Sequence, residues 1–331
     1  MIKTYLTYSR DAGDFKFDLV ALSQNGLSGI RLINKGKTAE EFTDRIAEIL
    51  AYGKKNNLEL EILVDLPGEK ALIGNVGKGI QIEKGEVYQL CSENQEEKSS
   101  DIPTTGFLSQ LDPEIVRAGD VISIADGELD MKILEVMKTS VNCEALNSFF
   151  LTSNRSFTIK GNKLPVQPVS NHDKILLESL QPAAFSGPVK ILVSFISDVS
   201  HVEYVRQLVP GFHIVSKVET LIPSEKLEEI IRASDSIMLG RGDLTSTSKM
   251  SEVFPFQKEV IRLCNSYQKE LILATGLFGD LKNSGKPSIS DMMDFGFLRN
   301  QDVSAFLIAG SNANQYPFET LDLITNFENL D

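Results

Sequence analysis

Short apolar runs alternate with longer amphipathic stretches at both ends of this chain. Residues 2–8 alternate and predict a strand, and 15–24 predict a short amphipathic helix that Gly26 stops. Residues 29–33 predict a second strand, with Arg31 near its end. Thr38 then caps a long helix: Thr38 and Glu41 have capping-box spacing, and Phe42, Ile46, Ile49 and Leu50 follow the helical period. Residues 60–64 predict a third strand, closed by Asp65, Leu66, Pro67 and Gly68.

The pattern changes over residues 71–168, where segments are short, β-rich and punctuated by Gly, Pro and Asn. Residues 120–124 and 131–137 predict hairpin strands around Asp126 and Gly127. Residues 92–101 carry no apolar side chain and read as a mobile polar loop. The alternation of strand and helix then resumes. Helices are predicted at 172–180, 199–208, 256–268, 290–298 and 317–327, and strands at 189–195, 271–275 and 305–309. The stretch 212–245 holds two more apolar runs around a helix-like segment. About eight strands alternating with helices favour a closed (β/α)8 TIM barrel over an open sheet. The expected division is a barrel of residues 1–69 and 170–331, carrying an inserted small β-barrel-like lid domain at 70–169.

At 331 residues the chain is long enough for one large core plus such an insert. A formal net charge of −13 argues against nucleic acid or an anionic membrane surface as partner. No apolar run approaches the roughly 20 residues that span a bilayer. The first residues lack a secretion signal. Cys91, Cys143 and Cys264 are scattered without metal-ligand spacing, which reads as buried reduced thiols in a cytoplasmic protein. Without secretion, the glycosylation pattern Asn154-Arg155-Ser156 carries no meaning.

The chemistry concentrates in 212–245. Residues two apart on a strand share a face, so Lys217 and Glu219 project together with Val218 turned away. Asp243, expected at the end of the next strand, would sit beside Glu219 on the barrel rim. Two carboxylates on neighbouring strand ends suit Mg2+ or Mn2+, with substrate oxygens and water completing the shell. A structural Lys–Glu ion pair closing the barrel explains the same spacing. Gly242, lacking a side chain, lets its backbone N–H approach an anion closely. Arg241, Gly242 and Asp243 also spell a cell-adhesion tripeptide, which would need an exposed extracellular loop. Arg31 could grip a phosphate or form a barrel-end salt bridge. Thr275 could relay a proton or cap a helix. The glycine-rich run 74–79 lacks Ser or Thr after its Lys and is not a phosphate loop. His172, His201 and His213 are too dispersed for a metal triad.

At these residues a resemblance becomes specific. SKVET (216–220), IMLGRGDL (237–244) and LILAT (271–275) resemble the signature of the pyruvate kinase family. The likeness continues in GIRLINKG (29–36), VDLPGEK (64–70), KPSISDMMD (286–294) and LIAGSNANQYP (307–317), in family order. Ser194-Phe195 resembles the Ser-Phe pair ending the family's fourth strand, and the insert resembles its lid, with KGNKLPVQPV (160–169) as the exit. The likeness stops at the barrel, and the family's C-terminal regulatory domain is expected to be absent.

The resemblance implies that Lys217 stabilises a transferring phosphoryl group. It implies that Glu219 and Asp243 bind Mg2+ with the substrate's carboxylate and enol oxygen. Arg31 would contact phosphate, the Gly242 and Asp243 amides would hold the carboxylate, Ser194 would lie at the substrate, and Thr275 near the carbon that takes up a proton. Several positions depart from the family. Ile33 and Lys35 replace the Asn and Ser of its monovalent-cation site, and Leu66 replaces the Thr beside Asp65. Lys70 falls where potassium-independent members carry a Lys, so an ammonium from Lys70 or Lys35 near Asp65 is expected to replace K+. Leu72 stands where the family has an active-site Arg. Ser9-Arg10 replaces a Gly-Pro, a nucleotide-binding His is missing, and Gly310 replaces a Glu after the last strand. The phosphoenolpyruvate and metal half looks kept, and the nucleotide half rebuilt. The expectation is a phosphotransferase using Mg2+ with a phosphoenolpyruvate- or pyruvate-like carboxylate. Its acceptor is altered, a nucleotide being one candidate, and it is expected to be a homo-oligomer. The alternatives are a metal-dependent lyase or decarboxylase acting on an oxaloacetate-like 2-oxo acid, and a catalytically weak homologue.

Overall fold

The computed structural model describes residues 2–8, 15–34, 37–66, 68, 71–92, 101–105, 116–125, 127–137, 140–161, 168–308 and 310–328. The first half opens with β1 (Lys3–Thr7), α1 (Phe15–Gln24), β2 (Gly29–Ile33), α2 (Ala39–Lys55) and β3 (Glu61–Leu66). Then come β4 (Leu72–Ile73), β5 (Ile80–Ile82), β6 (Val87–Ser92), β7 (Asp101–Thr105), β8 (Val121–Ile124), β9 (Leu129–Val136), β10 (Ser140–Ala145), β11 (Phe149–Leu151) and β12 (Phe157–Ile159). The second half runs α3 (Asn171–Ser179), β13 (Val189–Val193), α4 (Val199–Leu208), β14 (His213–Val218), α5 (Ser224–Ala233) and β15 (Ser236–Gly240). It continues with α6 (Arg241–Thr247), α7 (Met250–Ser266), β16 (Glu270–Ala274), α8 (Leu281–Ser284), α9 (Ile289–Arg299), β17 (Ala305–Ile308), α10 (Gly310–Gln315) and α11 (Pro317–Glu328).

Eight parallel strands close into a barrel in the order β1-β17-β16-β15-β14-β13-β3-β2. This is the TIM-barrel fold expected from the alternation of strands and helices. The chain divides into two compact units, Met1–Gly68 with Pro168–Arg241 and Pro255–Asp331, and Glu69–Gln167 with Gly242–Phe254. The second unit has a seven-stranded sheet, β12-β8-β9-β10-β6-β7-β4, and a two-stranded one, β11-β5. The hairpin read from the sequence is present there as the antiparallel pair β8 and β9. Its core gathers Ile73, Leu90, Ile122, Met131, Val141 and Leu151, all fully buried. The polar stretch 93–100, Asp126, Lys35 and Lys70 lie outside the described residues.

The helices form as their sequences dictate. In α2 the Thr38 hydroxyl accepts from the Glu41 amide at 3.2 Å, and the Glu41 carboxylate accepts from the Thr38 amide at 2.9 Å. Phe42, Ile46, Ile49 and Leu50 form its buried face. The helix expected from residue 256 instead starts at Met250 and runs through Pro255, which has no amide to donate back to the preceding turn.

The barrel interior is layered by strand alternation. Its middle is apolar: Tyr5, Leu63, Leu192, Val215, Met238, Ile272, Ala274, Ala305 and Leu307. Gly29 stands opposite Tyr5 in register, and a Cβ there would come within 2.3 Å of the Glu61 carbonyl oxygen and 3.0 Å of the Tyr5 ring. Two residues before the core positions, at the amino ends of the strands, lies a charged layer. Lys190 bridges Glu61 and Glu270, at 2.8 Å to each. Lys3 reaches the other oxygen of each, Tyr5 donates to Glu61 at 2.8 Å, and Ser236 donates to Glu270 at 2.9 Å. His213 completes the layer through Ser236 at 2.6 Å.

This layer sets an acid limit on stability. Burial pushes the Glu61 carboxyl up, but hydrogen bonds from Lys190, Lys3 and Tyr5 outweigh it and bring it down to about 2. Burial likewise opposes a net lowering of Glu270 by Lys190. A carboxylate lowered in the folded state adds stability above its unfolded value of 4.5, and that stability is lost as pH falls toward about 2. The Glu61 share is on the order of 2 kcal/mol once solvent screening is allowed for. Urea unfolding of the wild type between those pH values is expected to show the loss. Glu61→Gln should flatten the profile there, and an unchanged slope would remove Glu61 from the account.

Candidate active site

The side chains two residues past the apolar layer gather at the carboxyl ends of the strands. Asp65 follows Leu63, Ser194 follows Leu192, Lys217 follows Val215, and Gly240 follows Met238. Alternation therefore turns all four toward the barrel axis. The Lys217 ammonium donates to Ser194 Oγ at 2.8 Å and Asp65 Oδ1 at 3.2 Å, and lies 3.1 Å from Glu219 Oε1. Arg31 Nη1 stands 3.7 Å from Asp65 Oδ2. The Phe195 amide donates to Glu219 Oε2 at 3.0 Å. Two cations and two carboxylates thus sit together in the barrel mouth, with Lys217 5%, Glu219 2% and Asp65 4% exposed. Charges this deep persist only when paired and hydrogen-bonded. Arg31 Nε is also buried, and has no hydrogen-bond partner among the described residues.

The geometry unites Arg31, Asp65, Ser194, Lys217 and Glu219, which are spread over 31–219 in sequence. Lys217 and Glu219 meet although the strand ends at Val218, one residue short of Glu219. Asp243 is placed differently from the sequence expectation. The strand stops at Gly240, and Gly242 and Asp243 are the second and third residues of helix α6. In that helix the Asp243 carbonyl accepts from the hydroxyls of Ser246 and Thr247, which favours local turns over an extended strand. Thr275 lies just beyond β16 with φ 61°, in the left-handed region, and its hydroxyl donates to the Ala274 carbonyl at 2.7 Å.

Two features escape sequence reasoning. Phe195 binds Glu219 through its backbone and holds φ 53°, which no side-chain pattern announces. Gly240 could have been flagged as a glycine ending an apolar strand. A Cβ built on it would lie 2.7 Å from Glu219 Cγ and 3.1 Å from Glu219 Oε1, so the close approach requires glycine. Gly240→Ala is expected to displace the Glu219 carboxylate and cost about 1–3 kcal/mol in chemical denaturation. Wild-type stability in that variant would mean that Glu219 moves aside freely.

A TIM barrel with its buried polar centre at the carboxyl ends of the strands belongs to the architecture on which barrel chemistry is built. The comparisons narrow that class. Residues 9–321 match the family described as pyruvate kinase, barrel domain, and the chain belongs to the pyruvate kinase family. It is 27% identical over 308 residues to the pyruvate kinase of Thermotoga maritima, covering 91% of this chain and 64% of that protein. It is 26% identical over 305 residues to that of Thermococcus litoralis, covering 90% and 63%. The chain thus spans less than two thirds of the length of these curated relatives. The crystal structure of Cryptosporidium parvum pyruvate kinase superposes with a TM-score of 0.83 at 23% identity, over 98% of this chain and 69% of that one. The Pyrobaculum aerophilum pyruvate kinase structure does so with 0.80 at 20% identity, over 98% and 72%. Among the described residues no helix is long and apolar enough to cross a membrane.

Proposed function

We propose that this chain is a Mg2+-dependent phosphotransferase acting on phosphoenolpyruvate or pyruvate, with an altered acceptor side. The observation that carries the reading is the Lys217 ammonium, fixed by Ser194, Asp65 and Glu219 in the barrel mouth. Phosphoryl transfer spreads negative charge over several oxygens, and pre-positioned cations stabilise that charge without reorganising. In this reading Lys217 meets the transferring group, and Arg31 uses its unpartnered Nε on the phosphate. Ser194 orients Lys217 at the substrate, the Gly242 and Asp243 amides receive the carboxylate, and the Thr275 hydroxyl passes a proton at the substrate carbon.

The donor chemistry fits a hard divalent cation. The carboxylates assigned to it are Glu219 and Asp243, both oxygen donors. Among the described residues no group of three or more His, Cys, Asp or Glu could hold a metal alone. Few protein carboxylates with substrate and water completing the shell is the habit of Mg2+, and Mn2+ accepts the same donors. When bound, the ion supplies positive charge to the carboxylate and enol oxygen. Potassium is not expected to be required. Asp65 is already met by Lys217 and Arg31, and Ile33 and Leu66 offer no side-chain oxygen where the family has Asn and Thr. Lys35 and Lys70 are the ammonium groups proposed to take the ion's place.

The net charge of −13 supports a small anionic substrate held by a local basic cluster, rather than nucleic acid or a membrane surface. A cytoplasmic homo-oligomer, with a nucleotide among the candidate acceptors, completes the proposal. The test is incubation with Mg2+ and phosphoenolpyruvate, with a panel of nucleotides and small acceptors, in sodium and in potassium buffers. Acceptor-dependent pyruvate release supports the reading. Metal-dependent loss of oxaloacetate without any turnover of phosphoenolpyruvate replaces it by the lyase reading, and no turnover of either points to a binding protein.

A further inference from the structure

Arg241 makes a set of contacts for which neither the metal nor the phosphate chemistry accounts. Its guanidinium donates from Nε to the Thr275 carbonyl at 3.2 Å and from Nη2 to the Gly276 carbonyl at 2.8 Å. The same group grips Asp294 bidentately, Nη1 to Oδ1 at 3.1 Å and Nη2 to Oδ2 at 2.7 Å. The Arg241 side chain is only 11% exposed. What it holds is an unusual piece of backbone. Thr275 and Gly276 follow β16 with φ 61° and 68°, two successive left-handed residues. For a β-branched threonine this conformation is strained, and it persists only where the surroundings impose it.

Both ends of the contact are anchored. Arg241 directly follows β15, whose Gly240 pairs in register with Ala274, the residue before Thr275. Asp294 lies in α9, whose start is fixed by the Ser288–Asp291 capping box. The Asp291 carboxylate also accepts from the Leu281 amide at 3.0 Å, tying α9 to the segment that follows Thr275. A planar guanidinium can satisfy two carbonyls and one carboxylate at once, and a lysine ammonium cannot reproduce that fork.

We propose that Arg241, backed by Asp294, is a positioning residue that holds Thr275 in its left-handed conformation and so aims the Thr275 hydroxyl for proton transfer. The inference rests on the reading above, in which Thr275 serves the substrate carbon. The step it governs is a tautomerisation. The enol of pyruvate gains a C–H bond at its methylene carbon and loses its O–H bond, so composition is unchanged and the proton exchanges with solvent.

The test separates this step from phosphoryl transfer. Exchange of pyruvate methyl hydrogens in heavy water, with Mg2+ present, is followed by proton NMR for the wild type, Arg241→Lys, Thr275→Ala and the double variant. Arg241→Lys is expected to slow exchange by about tenfold to a hundredfold. The KM for phosphoenolpyruvate should stay within about threefold, as for a loss confined to the later step. The double variant should be no slower than Thr275→Ala, within about twofold. Multiplying losses, or an unaffected exchange rate, would overturn the proposal. Should Arg241→Lys fail to fold, Asp294→Asn, which keeps the guanidinium, is read the same way with a smaller loss. If the wild type neither exchanges pyruvate hydrogens nor transfers phosphate, the functional reading falls, and the clamp is judged on conformation. Backbone carbon shifts of residue 275 leaving the left-handed range in Arg241→Lys would support it. Unchanged shifts would refute it.

Discussion

Lys217→Met is expected to lower phosphoryl transfer by about a thousandfold or more in kcat, with a much smaller change in KM for phosphoenolpyruvate. The size follows from where the ammonium sits. It is 5% exposed and held by Ser194, Asp65 and Glu219, so its charge is poorly screened and already oriented. A fixed cation of this kind acts most strongly on charge that develops in the transition state, which makes the effect one on kcat. Methionine keeps most of the stem's packing and removes the charge together with the N–H donors to Ser194 and Asp65. The change also leaves Asp65 and Glu219 with one cation fewer, so a fold check by circular dichroism and unfolding belongs with the kinetics. Titration of Mn2+ binding separates the outcomes further. A variant that still binds the ion but has lost turnover places the defect in the phosphoryl step. Retention of wild-type turnover would reduce the Lys217–Glu219 pair to the structural ion pair that the sequence also allowed.

Lys190→Met is expected to be the most damaging substitution outside that centre, at about 3–5 kcal/mol. Lys190 is 7% exposed and lies 2.8 Å from both Glu61 and Glu270. Its removal leaves two carboxylates facing one another at the amino end of the barrel, with Lys3 as the remaining cation of the layer. One of them would then take up a proton on folding, so the loss should be greatest near neutral pH and shrink on acidification. Urea unfolding at neutral pH and at about pH 4 checks both points. A triple substitution that also neutralises Glu61 and Glu270 with glutamine should recover much of the loss. No recovery would assign the cost to packing of the lysine stem instead.

Much of the barrel was legible in the chain. The strand 29–33 and the helices 15–24 and 199–208 coincide with the observed β2, α1 and α4. Capping chemistry at Thr38 and apolar periodicity act within a turn or two of sequence, so they survive folding unchanged. The limits of α7 were less legible, because a proline reads as a break in a helical pattern, whereas this helix runs through Pro255. Asp243 read as the end of a strand and lies in a helix, since Gly240, the one local sign that the strand stops, is compatible with either course. The grouping of Gly242–Phe254 with the inserted unit is a tertiary fact, reflected in the bond from the Gly161 amide to the Thr247 carbonyl.

By itself the sequence determined the alternation of strands and helices, the family, and the shared face of Lys217 and Glu219. Each follows from periodicity or motif order, which are properties of neighbouring residues. Tertiary structure alone decided that Asp65 and Ser194, from two other strands, converge on Lys217. It decided that Arg241 reaches Thr275, Gly276 and Asp294, and that the barrel's amino end is sealed by Lys190 between two glutamates. Barrel closure and strand register bring these groups within hydrogen-bonding distance, and the energy of burying their charges depends on partners far away in the chain.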